Sequence, residues 1–488
     1  MNKYTNLAKN TLVFAIGNFG SKILVILLTR LYSNNINPAD SSTKELLEIT
    51  ANFLLPIFTF SMSEAVIRYG LDRKYKKQEV FTTSMILNCL GLVLMFLLFP
   101  AIRRISFLSF IDGYSMLLLV YVCTSSIRSI CSQFLRARGR VKFYAFDGVI
   151  ATLTLFIFNI VFISNMKMGV KGFMLSVILS DAFSALLIFG ASEMKKYLSI
   201  KYFNKKLAKS MMRFAVPLIP TVIMWVITGF SDRLFIRYMK SDTVQLGEDA
   251  AGIYGYASKI PNLISMISTI FFQAWNMSAI QENRSKDRSR FYEKVYTAYE
   301  AILFIASAIL IAGTKVITPL LVSDKKFSAY GDVYVYTPVL VIAVLFMCLD
   351  QFLSSIYTAT KHTTNSFWTS FAASIANIIL NYCLIPVWGI QGASIATFLS
   401  YYLCFWIRII DARYYIKFKF NGVRSVVNTV LTLLMCLCMA KTPKFYGLWT
   451  TVLLFFILLI NYKALLLTIS KFMKRFVRRT KSRKPVRK

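Results

Sequence analysis

Apolar stretches of about 18–24 residues recur from one end of the chain to the other, each as long as a helix that spans ~30 Å of hydrocarbon. In hydrocarbon every backbone N–H and C=O must be bonded inside the protein, which leaves α-helices and closed barrels as the spanning structures. Barrel strands alternate over about ten residues, and no such alternation is present. The chain is therefore predicted to be an all-α integral membrane protein. The expected spans are 8–31, 46–67, 80–100, 113–135, 146–164, 170–190, 215–236, 252–275, 296–313, 333–356, 365–385, 391–409, 425–440 and 447–469, about fourteen in all. The first is too long for a cleaved signal peptide and carries Lys22 and Arg30, which such a peptide's apolar region lacks.

Charge location matters more here than charge total. Hydrophobic residues make up 56% of the sequence and charged residues only 16%, yet the net charge is +35. With Met1 placed in the cytoplasm, Lys and Arg are about threefold more numerous in the cytoplasmic segments than in the outside ones, the bias that orients membrane helices. Both termini are expected in the cytoplasm. The tail Lys471–Lys488 holds ten of these cations, which suits contact with anionic lipid headgroups. No soluble aromatic-basic module is present, so nucleic acid is excluded as a partner. The eight cysteines form no C-x-x-C and the lone histidine is His362, which excludes the common zinc spacings. Neither a metal nor a cofactor is expected.

The connections are short. The longest run Thr314–Asp332 outside and Ser192–Phe214 inside, well below the ~50 residues at which domains begin, so whatever the protein does happens among its helices. An internal repeat organises them. Gly169-Val170-Lys171-Gly172 opens span 6 and Gly389-Ile390-Gln391-Gly392 opens span 12, with Ser180 and Ser400 in the same register. Leu7-Ala8-Lys9 with Phe14-Ala15 matches Leu207-Ala208-Lys209 with Phe214-Ala215, Pro56 of span 2 matches Pro261 of span 8, and Thr29-Arg30-Leu31-Tyr32 parallels Asp232-Arg233-Leu234-Phe235. These matches predict two pseudo-symmetric six-helix lobes, 1–192 and 207–412, followed by two extra C-terminal helices and a basic cytoplasmic tail in 413–488. An even number of spans per lobe makes the repeat parallel, an arrangement found in secondary transporters that alternate access to a cavity between the lobes.

Asn377-x3-Asn381, then Pro386, then Gly389-Ile390-x-Gly392-Ala393-Ser394-Ile395-Ala396-Thr397 resembles the span 11–12 signature of the polysaccharide transporters, the Wzx-type oligosaccharide flippases of the multidrug/oligosaccharidyl-lipid/polysaccharide exporter (MOP) superfamily. Asp232-Arg233 followed by Gly252-Ile253-Tyr254 and Ser258-Lys259 is similar to that family's span 7–8 stretch. The resemblance covers the whole chain. It implies a flippase of the bacterial cytoplasmic membrane, not an enzyme, that turns a polyprenyl-diphosphate-linked oligosaccharide to the outer leaflet for cell-surface polysaccharide assembly. Membrane lipids, and a polymerase and glycosyltransferases of the same pathway, are the implied partners of a monomer. The first half departs from the pattern: in place of Gly-x-Tyr, span 2 opens on Glu45-Leu46-Leu47-Glu48.

An ionisable group at mid-bilayer costs roughly 2.5–3.5 kcal/mol on insertion scales, so each needs a partner or a watered cavity. The spans and their margins hold Lys22, Arg30, Glu64, Arg68, Arg128, Asp181, Asp232, Arg233, Lys259 and Asp350. The cations suit the diphosphate that the resemblance implies, because ammonium and guanidinium groups bind it by charge-assisted hydrogen bonds. Lys22, Arg30, Arg68, Arg233 and Lys259 are the expected substrate-binding residues, although Arg30 and Arg68 lie near span ends where snorkelling to headgroups would also explain them. Glu64, Asp181, Asp232, Arg128 and Asp350 are the expected gate or ion-pair residues. Asp232 is expected partly to neutralise Arg233. Arg128 and Asp350 occupy equivalent positions in spans 4 and 10, so they are expected to pair across the cavity as a cytoplasmic gate or to pair each within its own lobe. Asn377 and Asn381, one turn apart, suit hydrogen bonds between helices, and Tyr401, Tyr402 and Trp406 suit core packing.

Two other functions compete. An organic-cation antiporter of the same superfamily would need an acidic cavity, whereas the intramembrane cations outnumber the anions here. An integral-membrane polymerase or glycosyltransferase usually displays a large outside loop, and Thr314–Asp332 offers Asp324 and Asp332 with no evident acid–base partner.

Overall fold

Residues 23–35 form the first described helix, α1, in the computed structural model, which describes residues 23–72, 74–102, 104, 106–282, 287–360 and 362–481. Asn37 then caps the next helix with its side chain, accepting the Asp40 N–H at 2.7 Å, and Pro38 takes the first helical position, where its missing N–H costs nothing. This helix, α2 (Pro38–Phe58), ends two residues past Pro56. Phe60 and Ser61 take positive φ and the chain resumes as α3 (Met62–Leu71) at 53° to α2. The first half continues with α4 (Lys77–Ile102), α5 (Ser115–Ala137), α6 (Val141–Asn159) and α7 (Gly169–Ala191). A short amphipathic connector, α8 (Lys205–Ala215), is capped by Asn204 and rests on α3, where Tyr69 donates to the Ser210 carbonyl at 2.8 Å.

The chain then enters its second half. After α9 (Ile219–Tyr238), helix α10 (Glu248–Ala257) breaks before Pro261 and resumes as α11 (Asn262–Glu282). The prolines matched in the sequence, Pro56 and Pro261, thus mark a broken helix in each half. Next come α12 (Arg288–Ala312), the short α13 (Thr314–Leu321), α14 (Val333–Thr360) and α15 (Thr363–Tyr415). The 53 residues of α15 are two helical arms that fold back on each other, Asn377 of one bonding Thr397 of the other at 3.5 Å and Arg408 bonding Thr369 at 2.9 Å. The helix joins expected spans 11 and 12 across a kink at Gly389, whose φ of 57° favours glycine. The chain closes with α16 (Gly422–Lys441) and α17 (Tyr446–Lys481).

Among the described residues there is no strand, and ten helices are long and apolar enough to cross a membrane, or eleven if the bent α2–α3 pair is one span. Most of expected span 1 lies outside the described residues. The buried apolar side chains gather in separate clusters, one drawn from residues 236–457 and two from residues 36–178 and 62–215. Side chains such as Leu97 and Leu186, both more than 70% exposed, face away from these cores, as lipid contact requires. Helices α16 and α17 attach to the second half. Arg424 of α16 is ion-paired with the buried Glu300 of α12, and the amides of Asn428 and Asn461 bond each other between α16 and α17.

Candidate substrate site between the halves

Helix α2 runs inward from one end of the bundle, and α9 and α10 meet it there. The approach is close because α10 presents glycines. A Cβ on Gly252 would lie 1.9 Å from the Pro38 carbonyl oxygen, and one on Gly255 would lie 2.3 Å from the Glu45 carboxylate. At Gly252 the opposing atoms are backbone, so a helix carrying a side chain there cannot seat itself on α2 this way, whereas at Gly255 they are the end of the Glu45 side chain. The Gly252-Ile253-Tyr254 motif is therefore an interface between the halves.

At this interface Glu45, 6% exposed in its side chain, accepts from Arg233 Nε on one oxygen at 2.9 Å and faces Lys259 Nζ on the other at 2.8 Å. Arg233 gives two further donors to the Gly229 carbonyl at 2.8 Å and Ser258 Oγ at 3.2 Å, and its guanidinium lies over the Tyr254 ring. One residue before Glu45, the buried Lys44 pairs with Glu48 at 3.3 Å and lies over the rings of Tyr32 and Phe173. The side chains of Arg233 and Glu45 are 14% and 6% exposed, those of Lys259 and Glu48 31% and 40%. Among the described residues the cluster holds three cations, Lys44, Arg233 and Lys259, against two anions, Glu45 and Glu48.

Further polar bonds seal the same end. Arg237 donates to Ser42 and Thr43 of α2 at 3.0 and 3.1 Å and pairs with Glu248 at 2.6 Å. Arg30 of α1 donates to the Pro319 and Leu320 carbonyls of α13, Ser33 accepts from the Ser323 N–H, and Tyr330 donates to the Ile36 carbonyl. Apart from the bonds of connector α8, the described polar bonds between the halves all lie at this end.

The expected site residues thus part company. Arg233 and Lys259 come together. Lys22 lies outside the described residues. Arg30 is committed to the last carbonyls of α13, where a cation meets the negative end of the helix. Arg68 and Glu64 are exposed on α3, and neither joins the cluster. Asp232 makes no direct ion pair with Arg233, whose carboxylate partner is Glu45, because adjacent residues of a helix face different directions. It is 2% exposed, with Oδ1 accepting from Asn377 and Asn381 at 3.3 and 2.6 Å and Oδ2 from Tyr254 and Thr397 at 2.6 and 2.8 Å. One carboxylate thereby ties α9, α10 and both arms of α15.

Arg128 and Asp350 do not meet. Arg128 pairs with Asp181 at 2.9 Å, lies 3.9 Å from Asp147 and donates to Ser184, all within the first half. Asp350 is buried in the second half, where the fully buried Arg408 bonds its backbone carbonyl at 2.9 Å. Of the pairings considered, each charge has taken its surroundings from its own half. Tyr402 packs edge-on against Phe346, and Trp406 against Phe405 and Phe420.

Sequence reasoning passed over Lys44, Glu45 and Glu48, Arg237, Asp147 and Arg408. The first three carried a signal: two carboxylates and an ammonium within five residues at the mouth of an apolar run, where the repeat calls for Gly-x-Tyr.

No family profile matches the chain. An uncharacterized membrane protein of Methanocaldococcus jannaschii is 23% identical over 368 residues, covering 72% of this chain and 84% of that protein. Among solved structures, the inward-facing conformation of a multidrug resistance MATE family transporter of the MOP superfamily aligns with a TM-score of 0.67 and 15% identity, covering 85% of this chain and 99% of that one. The lipid II flippase MurJ in an inward closed conformation aligns at 0.66 and 16%, covering 96% and 100%. A MOP superfamily transporter of Pyrococcus furiosus, described as having a binding pocket of reversed polarity, aligns at 0.55 and 15%, covering 84% and 96%. The chain has the fold that these transporters share.

Proposed function

We propose that this chain is a flippase that carries a polyprenyl-diphosphate-linked oligosaccharide from the cytoplasmic to the outer leaflet by alternating access. The observation that carries the reading is the buried cluster at the α2–α9–α10 junction, where cations outnumber anions by one among the described residues. Arg233 offers a planar fork of N–H donors and Lys259 a compact ammonium, the two kinds of group that hold diphosphate oxygens. An antiporter of organic cations would need the opposite excess. The lobes are 1–192 and 207–412, with 413–488 appended, and the Lys/Arg bias puts both termini and connector α8 in the cytoplasm. On that orientation the joined end faces outward, and the site would load from the cytoplasmic leaflet, where such a lipid is made.

The test is translocation of a fluorescent polyprenyl-diphosphate-linked oligosaccharide in proteoliposomes, scored by its accessibility to an impermeant glycosidase. Wild-type protein moves the lipid, while Arg233→Gln and Lys259→Gln each lose most of the rate with normal insertion. Losing one charge-assisted phosphate contact costs about 1.5–3 kcal/mol, ten- to a hundredfold in affinity. Equal rates in all three proteins would remove the cluster from the transport path.

A further inference from the structure

Arg233 and Lys259, the two cations proposed to hold the diphosphate, are already occupied by a carboxylate of the protein itself. Glu45 gives one oxygen to Arg233 and the other to Lys259. It belongs to α2 in the first half, while both partners belong to the second. The same two bonds therefore hold the cations and hold the halves together. We propose that Glu45 is a tethered stand-in for the transported headgroup, displaced when an anion binds, and that its displacement unlatches the sealed end. The inference rests on the flippase reading for the identity of the lipid, but not for the behaviour of the latch.

Three features carry it. Gly255 leaves the space in which the Glu45 carboxylate sits, since a Cβ there would fall 2.3 Å from its oxygen. The pocket is thus shaped around an anion. The two cations are met by separate oxygens of one group, so a replacement must present two oxygens held a short fixed distance apart, as phosphate groups do. Charge sets the valence. When Glu45 leaves, Arg233 and Lys259 expose two positive charges, which a dianion balances and a monoanion does not. A diphosphate satisfies all three conditions, whereas a simple carboxylate merely repeats what Glu45 already provides.

The cost structure gives the coupling its direction. An empty pocket with Glu45 withdrawn would leave two partly buried cations uncompensated, which is unfavourable. The sealed end consequently stays shut until an anion takes over the pair. Binding and opening are then linked, and the linkage is reciprocal: the factor by which a bound anion favours the parted form is the factor by which the parted form binds that anion more tightly. Arg237 with Ser42 and Thr43, and Arg30 with α13, remain as the weaker bonds that parting must still break.

The experiment uses full-length protein in nanodiscs with genetically encoded labels at Asp40 and Asp249, both exposed and on opposite sides of the seam. Inorganic pyrophosphate is the probe, with acetate at matched ionic strength as the monoanion control. Pyrophosphate should lengthen the label distance in the wild type and acetate should not. Glu45→Gln should lengthen it with no ligand and bind pyrophosphate about tenfold more tightly, the effect of removing one charge-assisted competitor. Glu45→Asp keeps the charge but is one methylene too short to reach both cations, and should fall between the two. The proposal is overturned if Glu45→Gln and Glu45→Asp both keep the wild-type distance and pyrophosphate affinity, or if acetate opens the seam as well as pyrophosphate does. Lipid translocation separates the readings. A latch that answers to pyrophosphate in a protein that moves no lipid-linked oligosaccharide upholds the latch and removes the lipid, and the converse removes the latch alone.

Discussion

Replacing Gly252 by alanine tests the seam without touching any charge. The new Cβ would sit 1.9 Å from the Pro38 carbonyl oxygen, 2.6 Å from the carbonyl carbon and 2.9 Å from Cα, all backbone atoms that cannot rotate aside. Ordinary contact begins near 3.4 Å, so α10 and α2 must part by about 1.5 Å along this line, and overpacking of that kind costs about 1–3 kcal/mol. Conformations with the seam parted do not incur the cost. Their population relative to the sealed form should therefore rise by roughly five- to 150-fold. Gly255→Ala is the informative comparison, because its Cβ meets only the end of the Glu45 side chain, which can move at the expense of its ion pairs. Double electron–electron resonance between labels at positions 40 and 249 reads the two populations, and thermal unfolding in detergent reports the stability of the sealed form. Gly252→Ala should shift the distance distribution strongly and Gly255→Ala by less. An alanine at 252 that leaves both the distances and the unfolding temperature unchanged would refute the close packing of α10 on α2 and the reading of this end as the sealed one.

Arg128→Ala leaves Asp147 and Asp181 buried without their cation and should cost about 2–4 kcal/mol in thermal unfolding, the lower bound reflecting the 29% exposure of Arg128. The double exchange Arg128→Asp with Asp350→Arg should give no rescue in the same assay, because the partners of Arg128 are Asp147 and Asp181. Recovery would place the two residues in contact after all. Asp232→Asn substitutes an amide for a carboxylate that accepts four hydrogen bonds, turning one of its faces from acceptor to donor. It should lower stability by about 2–4 kcal/mol and Thr397→Val by about 1 kcal/mol, checked by unfolding in detergent. Arg424→Ala removes the partner of the buried Glu300 and should loosen α16 and α17 from α12. Limited proteolysis should then cut within 416–421, the connection before α16, and an uncut connection would show that apolar packing alone holds the pair.

Lateral placement was legible in the amino-acid sequence because a bilayer imposes a local rule: runs of apolar residues long enough to span must be helices. Hence the helical spans and the turn between expected spans 11 and 12 could be read from neighbouring residues alone. The breaks near Pro56 and Pro261, matched in the sequence only as a repeat, lie within spans expected to be continuous. The same rule says that a charge such as Arg128 or Asp232 inside a span needs a partner. It does not say which one. Arg233 has Asp232 beside it in sequence yet bonds Glu45, 188 residues away, because helix geometry turns adjacent side chains apart while two glycines bring a distant helix within reach. Glu45-Leu46-Leu47-Glu48 looked like a departure from the repeat, and the fold shows what stands there: the carboxylate that holds both cations of the candidate site. Burial energetics demand compensation for every charge, which sequence can register. Only the packing of α2 on α9 and α10 determines which charges compensate each other.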